Sequence, residues 1–333
     1  MNSYVSSSES GSFERDMDYL PDRITRGGRR PSDGPVVGEP WPVEPGRYCL
    51  VAAPACPWAS RSLVVRKLLG LEDVLPLATP GPVHDERSWN FDEQPGGIDP
   101  VLGIHRLQEA YLARDPAYDK GITVPAMVDI PSGKVVTNDF PWITHDLFFE
   151  WSEHHRSDAP DLWPDHLRDE MEEVMERVFT DVNNGVYSCG FAGSQEAYEE
   201  AYDTLWSAMD WLEERLTTRR YLMGDEITEA DVRLFTTLVR FDAVYHSHFK
   251  CNRSKLVELP ALWGYARDLF QQPAFGETVD FEQIKRHYYV VQDDLNPTGI
   301  VPTGPDLKGW WTPHHRDQLA KDLTDRTNVR RAG

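Results

Sequence analysis

A short apolar segment followed by a cysteine and a proline constrains the first half of the chain most strongly. The segment RYCLVAA, Arg47–Ala53, predicts a strand, because it is bounded by Pro-Gly before it and by PACP after it. Pro57 suits the first position of a helix, where its missing N–H has no intrahelical partner to lose, and Gly70 suits the end. The sequence therefore predicts a strand, a tight turn at Cys56, and a helix over residues 57–69.

Further elements complete a mixed domain over residues 47–155. They are a strand at Val74–Leu77, a helix from Pro100 to about Arg114, a hairpin of Val124–Asp129 with Lys134–Thr137, and a helix from Asn138 or Asp139 to about Trp151. The order β-α-β-α-β-β-α is that of a thioredoxin-like domain. Residues 1–46 carry Gly, Pro, Ser and charge without periodicity, and they predict an extended arm packed on this domain.

The second half of the chain has a different texture. From about Asp165 onward, apolar residues recur at spacings of three and four, which is typical of amphipathic helices. Thr228 and Asp231 predict a capping box at the start of one of them. We therefore predict an all-helical domain over residues 160–295 and a Pro/Gly-rich C-terminal extension over 296–333, so that the whole chain is of the α+β class.

Charge and cysteine usage exclude several functions. The net charge of −21 disfavours nucleic acid and anionic membranes as partners, since phosphate would be repelled. The N-terminus lacks the apolar core of a secretory signal, and no run of 18 apolar residues occurs. The four cysteines form no CxxC pair and have no histidine at zinc-ligand spacing, so we expect free thiols, a cytoplasmic location and no metal.

Cys56 is the strongest candidate for chemistry. A thiol at the first turn of a helix meets unpaired backbone N–H groups and the positive end of the helix dipole, and both favour the reactive thiolate. The alternative is a buried structural cysteine, which is common for this residue type. Because Pro-Trp-Ala follows Cys56, no second cysteine is placed to resolve a mixed disulfide. The chemistry would be monothiol, with release by a second thiol molecule.

Two further segments are candidate binding positions. In TVPAM, a cis-proline at the start of a strand would leave the backbone groups of Val124 free to pair with a bound cysteinyl unit, as an added strand would, and the sequence leaves the isomer of Pro125 open. The alternative for Pro125 is a plain edge-strand proline. In TND, backbone N–H groups at the start of a helix could hold a carboxylate and Asp139 could accept from an ammonium group. Helix capping alone is the competing interpretation.

Several motifs in order closely resemble the Xi-class glutathione transferases, also called glutathionyl-hydroquinone reductases. They are RYCLVAAPACPWASR, TVPAMVD, NNGVYSCGFA, the long string RYLMGDEITEADVRLFTTLVRFDAVYHSHFKCN, and LNPTGI. The resemblance extends from about Phe13 to Pro305. It implies that Cys56 attacks the sulfur of a glutathionyl-hydroquinone, releases the hydroquinone, and is regenerated by a second glutathione. It also implies a homodimer.

The resemblance further implies roles for residues outside the first turn. The thiol-binding positions are Trp89, Val124, Pro125, Asn138, Asp139 and Phe140, and the quinone-binding positions are Tyr187 and Tyr288. Where the family has NES, this chain has NDF, and where the family has GR-x-TVPVLWD, it has KGITVPAMVD. The first change shortens a carboxylate and removes a hydroxyl. The co-substrate is therefore glutathione or another low-molecular-weight thiol, such as mycothiol.

Two other functions stay open at this point. One is a monothiol glutaredoxin-like thioltransferase that acts on mixed disulfides and shares Cys56 as its nucleophile. The other is a non-catalytic scaffold in which the fold survives as a binding module. A conventional transferase that adds a thiol to electrophiles is disfavoured, because a cysteine and not Ser or Tyr occupies the helix start.

Overall fold

A computed structural model describes residues 5–7, 11–28 and 40–319. The remaining parts of the predicted arm and of the predicted C-terminal extension lie outside the described residues. The strands are β1 (Val5–Ser7), β2 (Phe13–Arg15), β3 (Arg23–Thr25), β4 (Pro40–Pro42), β5 (Tyr48–Val51), β6 (Leu77–Ala78), β7 (Ala126–Asp129) and β8 (Lys134–Thr137). The α-helices in the first half are α1 (Pro57–Leu68), α2 (Leu107–Arg114) and α3 (Phe140–Phe149).

The second half of the described chain is helical, as predicted. Its α-helices are α4 (Arg168–Arg177), α5 (Gly185–Gly190), α6 (Gln195–Leu216), α7 (Glu229–Arg240), α8 (Pro260–Phe270), α9 (Pro273–Gly276) and α10 (Phe281–Val291). Two π-helical turns, Val178–Asn183 and Phe241–Tyr245, continue α4 and α7. The predicted capping box opens α7, where the Asp231 carboxylate accepts from the Thr228 N–H at 2.8 Å.

The central sheet has the strand order β6-β5-β7-β8. β5 pairs parallel with β6 and antiparallel with β7, and β7 forms the antiparallel hairpin with β8. All four residues of β5 are buried, and so are all four of β7, because helices cover the sheet. The predicted order β-α-β-α-β-β-α is confirmed, and with it the thioredoxin-like arrangement.

Two predicted boundaries are wrong. The helix predicted from Pro100 begins at Leu107, because the Asp99 side chain accepts from the next two free N–H groups and Gly103 has a φ of 67°, which breaks the helix. The strand predicted at Val74–Leu77 is shifted to Leu77–Ala78, since the preceding residues form a turn that follows Gly70.

The described chain divides into two compact units, and their bounds differ from the predicted domains. Of the described residues, unit 1 contains 5, 16–28, 40–159 and 278–301, and unit 2 contains 6–7, 11–15, 160–277 and 302–319. Residues 278–295, predicted as part of the helical domain, and residues 296–301, predicted as part of the C-terminal extension, pack in unit 1, where Arg286 pairs with Glu93 at 2.7 Å. Among the described residues, no helix is both long and apolar enough to cross a membrane.

The arm residues of unit 1 are tied to the thioredoxin-like domain by polar contacts. The buried guanidinium of Arg23, in β3, forms an ion pair with the carboxylate of Asp146, in α3. Asp22, beside it, pairs with Arg114 at the end of α2 at 3.0 Å. Pro21 also makes a β-bridge with Thr137 at the edge of the sheet. Residues 16–28 of the predicted arm therefore pack on the thioredoxin-like domain, as predicted, whereas residues 11–15 belong to unit 2.

Candidate active site

Cys56 is the N-cap residue of α1. Its extended backbone (φ −84°, ψ 124°) turns the chain from β5 into the helix, and Pro57 occupies the first helical position. The Cys56 carbonyl accepts from the backbone N–H and the hydroxyl of Ser60, both at 2.9 Å, so the first turn is well anchored. The side chain is 8% exposed, and its Sγ donates to the Val124 carbonyl oxygen at 3.6 Å.

The segment Thr123–Pro125 presents backbone polar groups beside this thiol. The Val124–Pro125 peptide bond is cis, which the sequence had left open. The Val124 carbonyl accepts from Cys56, whereas its N–H makes no hydrogen bond within the described part of the chain. The Thr123 carbonyl accepts from the Tyr111 hydroxyl at 3.1 Å. The structure thus brings Cys56, Val124 and Pro125 together with one backbone donor available.

Asn138 supports this segment from behind. Its Nδ2 donates to the Thr123 hydroxyl at 2.6 Å, and its Oδ1 accepts from the Leu20 N–H of the arm at 2.8 Å. The neighbouring Thr137 hydroxyl donates to the Leu20 carbonyl at 2.7 Å. Since Asn138 is 2% exposed and its amide is used on both sides, it acts on the site by holding the arm and Thr123 in place.

Asp139 is the N-cap residue of α3 and carries a perturbed carboxyl group. Burial raises its pKa to about 6, an effect that the Trp142 backbone N–H and the Arg23 guanidinium oppose. The nearby Asp146 carboxylate adds a smaller upward contribution to the Asp139 pKa. The Arg23 guanidinium also lies 4.2 Å from the centre of the Trp142 ring. Asp139 therefore titrates close to the physiological range, at a helix N-terminus that favours its charged form.

Phe140 and Trp58 lie in the core between α1 and α3. Their ring centroids are 4.8 Å apart, and the Arg61 guanidinium lies 4.7 Å from the Trp58 ring. Tyr19 of the arm contacts the Phe140 ring edge-on at 5.6 Å. Phe140 is 3% exposed, so the bulk added in NDF fills the interior.

Trp89 lies between two histidines in unit 1. The His287 ring stacks on the indole with centroids 5.0 Å apart and planes 21° apart, and the His84 ring approaches at 4.8 Å. The Nδ1 of His287 lies 2.9 Å from the Pro82 carbonyl, which orients that ring. Trp89 is 3% exposed, and the two imidazole rings are among the groups that cover it.

The two tyrosines predicted near the quinone differ in their surroundings. Tyr187, in α5 of unit 2, lies in an aromatic cluster with Phe13 and Phe249, at centroid distances of 6.0 and 5.3 Å. Tyr288, in α10 of unit 1, is 1% exposed. The residue of α10 that contacts Trp89 is its neighbour His287, which sequence reasoning missed. The buried residues Ile284 and Tyr288 lie four positions apart and mark the inward face of α10. His287 lies three positions after Ile284, so helical periodicity was the signal that could have placed it near the same face.

The other cysteines are buried and poorly suited to chemistry. Burial raises the pKa of Cys49, in β5, to about 12. Burial, with a hydrogen bond to Cys189, holds the Cys251 pKa well above its usual value. The thiols of Cys49 and Cys251 therefore stay protonated at neutral pH. Within the described ranges, no group of three or more His, Cys, Asp or Glu residues is arranged to hold a metal ion.

Comparisons with known proteins agree with this architecture. Residues 195–268 match the family model of the glutathione S-transferase C-terminal domain. A glutathione transferase structure from Gordonia bronchialis is 63% identical, with a TM-score of 0.87 over 91% of both chains. A Xi glutathione transferase structure from Phanerochaete chrysosporium is 37% identical, with a TM-score of 0.83 over 92% of this chain and 96% of that chain. The fold and the cysteine-bearing helix start define a glutathione transferase.

One curated relative narrows this class. The glutathionyl-hydroquinone reductase YqjG of Escherichia coli is 38% identical over 94% of this chain and 95% of its own length. Its structure with glutathione bound is 37% identical, with a TM-score of 0.82 over 89% of this chain and 95% of that chain. The chain belongs to the Xi-class glutathione transferases, the family of the glutathionyl-hydroquinone reductases.

Proposed function

We propose that this enzyme removes a glutathionyl group, or a related low-molecular-weight thiol, from hydroquinones through a mixed disulfide on Cys56. The observation that carries the proposal is the position of the Cys56 Sγ, at the N-terminus of α1 and 3.6 Å from the Val124 carbonyl. The thiol is thereby next to the backbone that would receive a cysteinyl unit. Kinship with YqjG, at 38% identity over nearly the whole chain, supports the substrate class.

In the first step, the Cys56 thiolate attacks the sulfur of the aryl thioether. The new S–S bond joins Cys56 to the thiol, and the C–S bond breaks with its electron pair on the ring carbon. That carbon takes a proton, and the hydroquinone leaves. The ring is reduced by two electrons, and the two sulfurs are oxidised to a disulfide.

In the second step, another thiol molecule attacks the mixed disulfide at the sulfur atom of the bound thiol, and the Cys56 Sγ is the leaving group. A symmetric disulfide leaves and the Cys56 thiolate returns. The balance is one thiol and one thioether in, one hydroquinone and one disulfide out. A thiol from solution must resolve the mixed disulfide on Cys56. The next three residues are Pro57, Trp58 and Ala59, so the first turn of α1 contains no resolving cysteine.

Backbone groups of Val124 are proposed to hold the thiol during both steps. Its N–H would donate to the carbonyl of the bound cysteinyl unit. Its carbonyl would accept from the cysteinyl N–H once the Cys56 proton, which now binds it, is lost. Asp139, at the N-terminus of α3, would accept from the ammonium group of a γ-glutamyl end, and Trp89 would border the other side. Tyr187 and Tyr288 stay our candidates for the hydroquinone, with Tyr187 the less deeply buried of the two.

The test follows hydroquinone release from glutathionyl- and mycothiol-type adducts by chromatography, with wild type and Cys56→Ser in parallel. Wild type is expected to release hydroquinone with at least one thiol, and denatured samples should carry one thiol per chain on Cys56 by mass spectrometry. Full activity of Cys56→Ser would overturn the mechanism. A preference between the two adducts would identify the natural thiol.

A glutaredoxin-like thioltransferase remains the second candidate, favoured by the monothiol first turn that both mechanisms require. Activity on a glutathionylated peptide, with none on thioether adducts, would support it. A non-catalytic scaffold predicts no Cys56 adduct under excess disulfide. The homodimer, the cytoplasmic location and the domain bounds of 47–155 and 160–295 also stay proposals. Sedimentation equilibrium would test the first of these.

A further inference from the structure

A tyrosine of α2 holds the backbone of Thr123, the residue before Val124. The Tyr111 hydroxyl donates to the Thr123 carbonyl at 3.1 Å and accepts from the Thr123 N–H at 3.4 Å. Both backbone polar groups of Thr123 therefore meet one oxygen atom, much as they would meet the paired residue of a neighbouring strand. Tyr111 is fully buried, so the packing of its ring fixes the position of that oxygen.

The orientation of the peptide group between Thr123 and Val124 determines where the Val124 N–H points. This peptide bond is trans, and a trans peptide is planar with its carbonyl and its N–H on opposite edges. Because the Thr123 carbonyl faces Tyr111, the Val124 N–H faces away from Tyr111. The Val124 N–H makes no hydrogen bond within the described part of the chain, and the Val124 carbonyl accepts from the Cys56 Sγ at 3.6 Å.

The side chain of Thr123 is held by a separate contact. Its hydroxyl accepts from the Asn138 Nδ2 at 2.6 Å, and the Asn138 Oδ1 accepts from the Leu20 N–H at 2.8 Å. Thr123 is therefore fixed at its N–H, its carbonyl and its hydroxyl, whereas the backbone groups of Val124 face Cys56 and the proposed ligand. A donor that is oriented before the ligand arrives lowers the entropy cost of binding.

We propose that Tyr111 is a positioning residue for the thiol co-substrate, whose hydroxyl orients the peptide group that presents the Val124 N–H to the bound cysteinyl unit. The inference rests on the proposed function, in which this N–H donates to the cysteinyl carbonyl. The role is indirect, because Tyr111 acts through the backbone of Thr123 and leaves the exchange at sulfur to Cys56. A purely structural hydroxyl, which satisfies a buried tyrosine, would affect stability and not thiol affinity.

Tyr118 provides a matched control for this distinction. Its ring centroid lies 5.0 Å from that of Tyr111, and its hydroxyl donates to the Gly121 carbonyl, also at 3.1 Å. The peptide group that Tyr118 holds, between Gly121 and Ile122, has no proposed contact with the thiol. Tyr111→Phe and Tyr118→Phe each remove one hydroxyl and keep the ring. A difference between them in thiol affinity therefore reports which peptide group was released.

The experiment is calorimetric binding of S-methylglutathione and S-methylmycothiol, unreactive analogues of the two candidate thiols. For the analogue that wild type binds more tightly, Tyr111→Phe is expected to raise the Kd about two- to tenfold, as for one lost hydrogen bond. Tyr118→Phe should leave the Kd unchanged, and thermal melts should show that both variants fold. Replacing Tyr111 by 4-aminophenylalanine should restore the wild-type Kd, because its amino group still donates to the Thr123 carbonyl.

A second measurement separates orientation of the donor from general distortion of the site. The rate at which iodoacetamide alkylates Cys56 should be the same in Tyr111→Phe and wild type, because that reaction uses no bound cysteinyl unit. A changed alkylation rate would overturn the proposal. So would equal Kd values for Tyr111→Phe and wild type, equal losses of affinity in the two phenylalanine variants, failure of 4-aminophenylalanine to restore binding, or a wild type that binds neither analogue.

The binding results do not depend on catalysis, since neither analogue is turned over. If Cys56→Ser keeps full activity while the two tyrosine variants differ as expected, the proposed mechanism fails and the role of Tyr111 stands. If wild type releases hydroquinone through Cys56 and Tyr111→Phe binds as tightly as wild type, the proposed function stands and the role of Tyr111 fails.

Discussion

The imidazole of His287 stacks almost parallel on the indole of Trp89, with ring centroids 5.0 Å apart. The two residues are 198 positions apart in the sequence, and the contact joins α10 to the segment between β6 and α2. Trp89 is a proposed thiol-binding residue. Its orientation depends on α10, a helix that the sequence assigned to the all-helical domain over residues 160–295.

Replacing His287 by alanine is expected to raise the KM for the thiol about two- to tenfold, because an aromatic pair contributes about 0.5–1.5 kcal/mol beyond burial. His287→Phe keeps an aromatic ring against Trp89 and removes the Nδ1 contact with the Pro82 carbonyl. Steady-state kinetics with varied thiol would measure both variants. Equal KM values for His287→Ala and wild type would show that the stack does not position Trp89.

Cys56 is expected to be the first thiol alkylated by iodoacetamide in the folded protein at pH 7. The side chains of Cys49 and Cys251 are fully buried and have raised pKa values, so they should react only after unfolding. Peptide mapping by mass spectrometry would count the adducts. The matched control is Cys49→Ala, which should retain kcat, whereas Cys56→Ala should lose it by at least about a thousandfold. Early labelling of Cys49 would contradict the assignment.

Asp139 is expected to make stability and thiol binding respond to pH in opposite directions. Burial raises its folded pKa to about 6 from an ordinary value of 3.8, so the folded state holds the proton more tightly than the unfolded state. Stability should therefore fall as pH rises from about 4 to 6. Over the same interval the carboxylate forms, and affinity for an ammonium-bearing thiol should rise.

Asp139→Asn separates these two effects, since asparagine still caps a helix but carries no charge. At pH 7 the variant should be more stable by about 1–3 kcal/mol and bind the thiol more weakly. Denaturant titrations at pH 4 and pH 7 measure the first effect, and calorimetry measures the second. The raised pKa would be contradicted if the difference in unfolding free energy between Asp139→Asn and wild type were the same at pH 4 and at pH 7.

Asn138→Ala is expected to cost about 2–4 kcal/mol of stability, since it leaves the half-buried Leu20 N–H without its acceptor and the Thr123 hydroxyl without its donor. Arm residues 16–28 should then become sensitive to proteolysis. Asn138→Asp is the comparison variant, because it keeps an acceptor for Leu20 and loses the donor to Thr123, although it also adds an acidic group at this buried position. Mass spectrometry of limited digests would show whether cleavage falls in the arm.

Tyr187→Phe is expected to change the KM for the hydroquinone adduct without changing stability. The phenyl ring keeps the contacts with Phe13 and Phe249, so only the hydroxyl is removed. An unchanged KM together with an unchanged kcat would remove Tyr187 from the quinone site. Thermal melts would confirm that the packing survives.

The local elements were predictable where the signal is local. The first turn of α1 needs only a strand, a proline and a helical pattern, so Cys56 could be placed from the sequence. The hairpin β7–β8 follows from its Pro-Ser-Gly turn, and the capping box at Thr228 was also found. The helix α2 could be placed only in part, because the turn made by the Asp99 side chain competes with helix formation before Leu107.

The parts that could not be predicted depend on partners far along the chain. Nothing near Leu20 indicates that its N–H is accepted by Asn138, 118 residues later. Nothing near Trp89 indicates His287. The raised pKa of Asp139 comes from burial in three dimensions, which a helix-cap pattern does not contain. Periodicity gives the face of a helix, whereas the identity of the residues opposite that face depends on the tertiary fold.

The docking of the arm has a consequence for how the protein forms during translation. Arg23 is made early, yet its partner Asp146 emerges from the ribosome 123 residues later. Until Asp146 is made, Arg23 has no counter-charge and the arm has no site on the domain to occupy. Closing a loop of this length also costs chain entropy. The arm is thus synthesised before the residues that it packs against, and it docks only after they have folded. Preventing the arm from docking on the newly made domain should therefore delay the appearance of thiol-binding activity, whereas the sheet should already have formed.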